Sequence, residues 1–137
     1  MLGQRAFQQP VVTFSNVRLN GVGLTGGSLD IVLNVYNPNH FRLDATRLRY
    51  QLLVDSLPLG NGETTQAFAV NEGDSTKVNL PLSFQWAGVS TAVRDIMNTG
   101  TVNYRVKGDL LVGSPVGNYT IPYDQTGRFS ALSGNRP

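Results

Sequence analysis

Side chains able to do chemistry are few in this chain, and their types narrow what it can be. There is one histidine, His40, and no cysteine. A nucleophilic triad needs a base that exchanges a proton near neutral pH. His40 is the single candidate, and the many serines and threonines fall in alternating or turn segments, with no G-x-S-x-G elbow to present one of them. The lack of cysteine removes disulfides, thiolate metal sites and cysteine nucleophiles together. Carboxylates remain as metal ligands, and the nine Asp and Glu residues show no calcium-loop spacing. The nearest approach to a cation site is Asn71-Glu72-Gly73-Asp74, where Glu72 and Asp74 flank a glycine, but Asn, Gly and Asp are also what a tight turn requires. A carboxylate pair across a cleft, as glycoside hydrolysis needs, is not visible in linear spacing. The sequence therefore assigns no catalytic, cofactor-binding or metal-binding residue and predicts a protein that is not an enzyme.

Three further groups have a chemical and a structural reading. Glycines 21, 23, 26 and 27 resemble a phosphate cradle in composition only, since no G-x-x-x-x-G-K-[ST] motif and no strand-to-helix setting accompany them; an interstrand loop accounts for them. Tyr36, Trp86, Tyr104, Tyr119 and Tyr123 are the raw material of a carbohydrate platform. Because Tyr104, Tyr119 and Tyr123 share the inward phase of their strands, core or half-buried roles are expected for most of these aromatics. Arg42, Arg47 and Arg49 alternate with Leu43, Leu48 and Tyr50, as on a solvated strand face. With eleven Lys and Arg against nine Asp and Glu, the chain lacks the clustered basic stripe that neutralises several phosphates, so no nucleic-acid partner is expected. Asn118-Tyr119-Thr120 is a formal glycosylation sequon.

The elements that must position these residues are mostly strands. At 137 residues, 40% hydrophobic and 15% charged, the chain has the size and apolar content for one core. Fifteen Gly and seven Pro punctuate short apolar runs. Strands are predicted over Val11–Leu19, through SLDIVLNVYN with Leu29, Ile31, Leu33 and Val35 on one face, and over Arg47–Val54. Further strands are predicted over Thr65–Val70, Ser75–Phe84, Thr101–Val112 and Val116–Ser130. Asp55–Glu63 reads as a turn and short excursion, Asn71–Asp74 as a hairpin-like turn, and Pro81 suggests an edge position or a bulge rather than a central strand. Between Trp86 and Asn98 the period lengthens, with Val89, Val93, Ile96 and Met97 forming the stripe of one amphipathic helix near residues 87–98. These features predict an all-β, immunoglobulin or fibronectin type III-like antiparallel sandwich of about seven strands with one inserted helix. Residues 10–130 form the domain, with 1–9 and 131–137 expected to be flexible. No apolar run is long enough to span a bilayer, residues 1–10 lack the apolar centre of a signal peptide, and the compartment stays open.

The stretch Asn37-Pro38-Asn39-His40-Phe41 ends the clearest strand. Pro38 has no N–H for a ladder and holds Asn37 extended, Asn39 tolerates a left-handed conformation or closes an Asx-turn, and Phe41 then drops into the core. The motif thus has a folding role available at every residue. The pattern LxIxLxVxNPNxF, the following RLRYxLxVDSLPLGNG and a late helix before a closing strand pair resemble the water stress and hypersensitive response (WHy) domain of group 2 late embryogenesis abundant proteins, over nearly all of Val11–Ser130. The resemblance implies a non-enzymatic, monomeric stress protein whose partners are unfolded or stressed client proteins. Its alternative is a cell-envelope immunoglobulin-like module with a specific protein or polysaccharide partner. The surfaces offered for contact are the strand face of Arg47, Arg49 and Gln51 and the loops at Gly21–Gly27 and Leu57–Gly62.

Overall fold

In the computed structural model, residues 6–97 and 101–130 are described. Eight strands run β1 (Val11–Val22), β2 (Gly26–Tyr36), β3 (Leu43–Val54), β4 (Leu57–Thr64), β5 (Phe68–Val70), β6 (Ser75–Gln85), β7 (Thr101–Ser114) and β8 (Gly117–Ser130). A helix, α1 (Thr91–Met97), lies between β6 and β7. Every pairing is antiparallel. One sheet has the order β1-β2-β6; the other has β4-β3-β7-β8, with the short β5 also on β3. The architecture is the all-β sandwich with one short helix that the alternation predicts.

The period of two decides which residues meet between the sheets. Leu29, Ile31, Leu33 and Val35 of β2 are buried, and they face the buried Leu48, Tyr50, Leu52 and Val54 of β3 with Val102, Tyr104, Val106, Leu110 and Val112 of β7. Leu80, Leu82 and Phe84 of β6 close the layer from one side, Ile121 and Tyr123 of β8 from the other. Each such aliphatic side chain contributes about 1.5–3 kcal/mol relative to exposure. The helix spends its two buried residues, Val93 and Met97, on the same core. Ser90 starts it by accepting the Ala92 N–H on its hydroxyl.

Several local expectations change. Leu57–Gly62 is not an excursion but most of β4, paired with β3 despite Pro58, which sits beside a register shift at Leu52/Leu53. The turn before it uses two non-glycine residues at positive φ, Asp55 (52°) and Ser56 (73°). The strand expected over Thr65–Val70 shrinks to β5, and Asn71–Asp74 is no hairpin: β5 pairs with β3 and β6 with β2, so this turn carries the chain from one sheet to the other. Strands β1 and β2 extend into the glycine-rich connection, leaving a tip around Gly23. The helix is shorter than its periodic stretch, because Trp86–Gly88 forms a separate 3-10 turn. Pro81 does lie on an edge strand, β6. The expected flexible tail, 131–137, lies outside the described residues. At the other end, within the segment expected to be flexible, Phe7 stacks on Tyr119 with ring centroids 3.9 Å apart.

Candidate functional site

The Asn37–Phe41 corner lies at the end of the sandwich where the chain leaves β2 for β3. Asn37 is wholly buried. Its Nδ2 donates to the carbonyls of Phe41 (2.8 Å), Val70 (3.0 Å) and Asn71 (3.3 Å), and its Oδ1 accepts the Asn39 N–H (2.9 Å) and the Asn39 Nδ2 (3.0 Å). The backbone adds Asn37 N–H to Asp74 (2.9 Å) and Gly73 N–H to Asn37 (3.0 Å). One amide thereby joins the corner to the turn between the sheets. Asn39, also buried, grips the backbone of Gln8 twice: Oδ1 accepts its N–H (2.7 Å) and Nδ2 donates to its carbonyl (2.8 Å). The Asx-turn is closed by Asn37 rather than Asn39, and Asn39 is not left-handed. Phe41 stays half-buried outside the main core cluster and serves the corner through its carbonyl; the buried alternation begins only at Leu43.

The second feature is the outer face of the β4-β3-β7-β8 sheet. Two cross-strand rows point outward, Glu63–Arg49–Asp109–Pro122 and Asn61–Gln51–Lys107–Asp124. Between them the row Gly62–Tyr50–Gly108–Tyr123 points inward. Glycine and tyrosine alternate here because each ring needs its neighbour's missing side chain. A Cβ on Gly62 would meet the Tyr50 ring at 2.6 Å, and one on Gly108 would overlap the Arg49 carbonyl oxygen. The Tyr123 hydroxyl reaches across Gly108 to donate to that same oxygen (2.6 Å), and the Tyr50 hydroxyl donates to Pro81 of the facing sheet (2.6 Å). Burial raises both phenols above their ordinary value, with Asp109 and Tyr50 adding to the rise at Tyr123, so both stay O–H donors at neutral pH.

The outward rows hold their charges in pairs. Arg49 forks onto Asp109 through Nε (3.0 Å) and an Nη (2.8 Å), and Arg105 reaches Asp124 through Nε (2.7 Å) and a second nitrogen. The Asp109 hydrogen bond and charge raise the Arg49 guanidinium, and the Arg105 hydrogen bond holds Asp124 below the usual carboxylate range. The rows enclose a depression of about 940 Å³. The side-chain amides of Gln51 and Asn61, adjacent in register, have no hydrogen-bond partner among the described residues.

The structure separates most other candidates. His40 is exposed, and Glu72 and Asp74 are exposed in their turn, where the Asp74 carboxylate accepts the Ser75 N–H. Among the described residues no group of three His, Cys, Asp or Glu side chains is placed to hold a metal. Arg42 pairs with Asp44. Arg47 follows the β3 register shift on the same outward face as Arg49 and Gln51, half-buried, with its Nε buried and unpartnered among the described residues. Tyr104 and Tyr123 are core as expected, Tyr119 is half-buried, and Tyr36 is exposed. Trp86 donates its indole N–H to Gly23 (3.0 Å), pinning the tip of the β1–β2 hairpin, with Arg94 5.1 Å above its ring. Sequence reading did not find Asp109, Asp124, Lys107, Gly62 and Gly108 as one surface. Only the phase of the acids and glycines relative to Arg49 hints at it, and register supplies the rest.

Comparison with known proteins adds a family. A sequence model described as late embryogenesis abundant protein, LEA_2, matches residues 32–127. No curated protein sequence matches. A solution structure of an Arabidopsis thaliana protein superposes with a TM-score of 0.75 at 19% identity, covering 91% of this chain and 83% of the other. A second solution structure, of a provisionally assigned late embryogenesis abundant (LEA) protein, gives 0.64 at 22% identity over 90% and 73%. A crystal structure of an Archaeoglobus fulgidus protein gives 0.57 at 12% over 86% and 97%. At these identities the structural matches speak to the fold.

Proposed function

The chain belongs to the late embryogenesis abundant protein family, and from that premise we propose that it is a stress-response protein that protects other proteins, without catalysis, through weak shielding contacts. Its domain is of the WHy type within group 2, it acts as a monomer, and its partners are client proteins partly unfolded by drying, freezing or heat. Among the described residues no helix is long and apolar enough to cross a membrane.

The observation that carries this reading is the outer face of the larger sheet. It carries two ion pairs made within the sheet, Arg49–Asp109 and Arg105–Asp124, so a partner that desolvated them would face a cost that new contacts barely offset. Among the described residues the exposed large apolar side chains are Val11, Val22, Leu24, Tyr36 and Val116. Of these Val11 and Tyr36 are cross-strand partners and Val22 and Leu24 share a hairpin tip, so they form small patches rather than one broad interface. Such a surface touches many clients and holds none tightly. The Asn37–Phe41 corner has a folding role in this reading: Asn37 and Asn39 spend their amides on backbone and on each other.

The test is the residual activity of two unrelated fragile enzymes after drying or freeze–thaw, with this protein and with an equal mass of a bland control protein. Protection of both beyond the control supports the proposal. Protection no better than the control, or a saturable complex with one partner, rejects it in favour of a dedicated interaction module.

A further inference from the structure

The depression on the outer face of the β4-β3-β7-β8 sheet has a shape and chemistry of its own. Its floor is backbone, because the row Gly62–Tyr50–Gly108–Tyr123 turns its side chains inward. Its long walls are the two outward rows, spaced by two residues along each strand, about 7 Å, while four strands at their normal separation make it about 14 Å long. The trough is therefore about two pyranose rings long and lies open to solvent above its floor, with a volume of about 940 Å³.

Charge decides against an ion. The trough is lined by Arg49 and Lys107 against Glu63, Asp109 and Asp124; Arg49 is committed to a two-point pair with Asp109, and Asp124 to one with Arg105 outside the trough. A phosphate reaching Lys107 would meet three carboxylates, and a metal reaching Glu63 would meet the Arg49 guanidinium beside it and the Lys107 ammonium. Hydrogen-bonding capacity is nonetheless left over. The Gln51 and Asn61 amides stand side by side without partners, each offering a donor and an acceptor, the pattern that adjacent hydroxyls complement. At the opposite end of the trough the Pro122 ring gives an apolar surface for C–H groups.

We infer that this trough binds a neutral polyhydroxylated ligand of disaccharide size, with Gln51 and Asn61 taking a hydroxyl pair, the fixed Arg49–Asp109 pair presenting donors and acceptors along the wall, and Pro122 packing against a sugar face. The inference stands apart from client protection. The glycines confine it to one place, since a side chain on Gly62 or Gly108 would displace Tyr50 or the Arg49 carbonyl and deform the floor.

The test is a backbone amide NMR titration of the full chain with maltose and, separately, trehalose, with inorganic phosphate as the ionic arm. The expected result with at least one sugar is saturable shifts, in the millimolar range typical of weak complexes, confined to residues 49–51, 61–63, 107–109 and 122–124. In the Gln51→Ala/Asn61→Ala variant the affinity falls about fivefold or more, while its urea midpoint stays at the wild-type value. Shifts linear in both sugars and spread over the surface, saturation by phosphate alone, or unchanged affinity in the double variant would each overturn the inference.

Discussion

Asn37 shows how one side chain can hold three segments. Its NH₂ group faces three carbonyl oxygens and its oxygen faces two N–H donors, so the amide orientation is fixed by its surroundings. Asn37→Ala strands buried carbonyls and is expected to cost about 2–4 kcal/mol in urea unfolding. Asn37→Asp is the sharper experiment, because it places a carboxylate oxygen against carbonyl oxygens. A carboxyl in that setting has a raised folded-state pKa, so the variant should gain stability as the pH is lowered from neutral; a urea midpoint independent of pH would contradict the network. Two tyrosines make a contrasting pair. The Tyr104 hydroxyl is buried without a partner among the described residues, whereas that of Tyr123 is bonded to the Arg49 carbonyl. Tyr104→Phe should leave stability unchanged or raise it by up to about 1 kcal/mol, and Tyr123→Phe should lower it by about 1 kcal/mol.

At the scale of elements, the β3–β4 hairpin is built on a turn whose second residue does not suit it. Asp55 and Ser56 both sit at positive φ, the conformation of a two-residue hairpin turn that prefers Asn-Gly. Ser56→Gly should therefore raise the unfolding free energy by about 1 kcal/mol, and a fall in the melting temperature would mean the serine makes a contact that offsets its strain. The same hairpin explains why β4 was hard to read. Pro58, Gly60, Asn61 and Gly62 have the composition of a loop, yet β4 is an edge strand, where a missing N–H is tolerated and where Gly60 and Gly62 make room for Leu82 and Tyr50. The helix was legible in type but not in length, since Trp86 belongs by periodicity to the stripe and by contact to the β1–β2 tip.

For the whole molecule, the titratable groups make the response to pH asymmetric. On the acid side, Asp124 is held below its ordinary value by the Arg105 hydrogen bond. A lowered folded pKa stabilises above the unfolded value and is lost as the pH falls through the folded one. This carboxylate is exposed and screened, so the loss is shallow. On the alkaline side, burial pushes Tyr104 up to about 12 from an ordinary value of 10.0 and raises Tyr123 as well. Raised folded values stabilise fully below pH 10.0 and lose that contribution as the pH rises through the folded values, with the Tyr104 part lost between 10.0 and about 12. Urea midpoints should thus decline gently below pH 4 and steeply above pH 10.0; equal slopes on both sides would mean that the phenols are not buried as described.

Much of this was determined by the sequence alone. Alternation in β2, β3, β6, β7 and β8 marks the inward residues without any partner in view, because a strand's two faces are set by its own period. Pro38 ends β2 locally, by lacking an N–H. Composition bounds the chemistry, since a chain with one histidine and no cysteine has few reactive arrangements open to it. What tertiary structure decided was pairing. Which acid meets Arg49, which glycine admits Tyr123, and which backbone Asn39 grips depend on register between segments 31 to 74 residues apart. Shifting one strand by a single residue would turn every such side chain to the other face, and no local pattern records that choice.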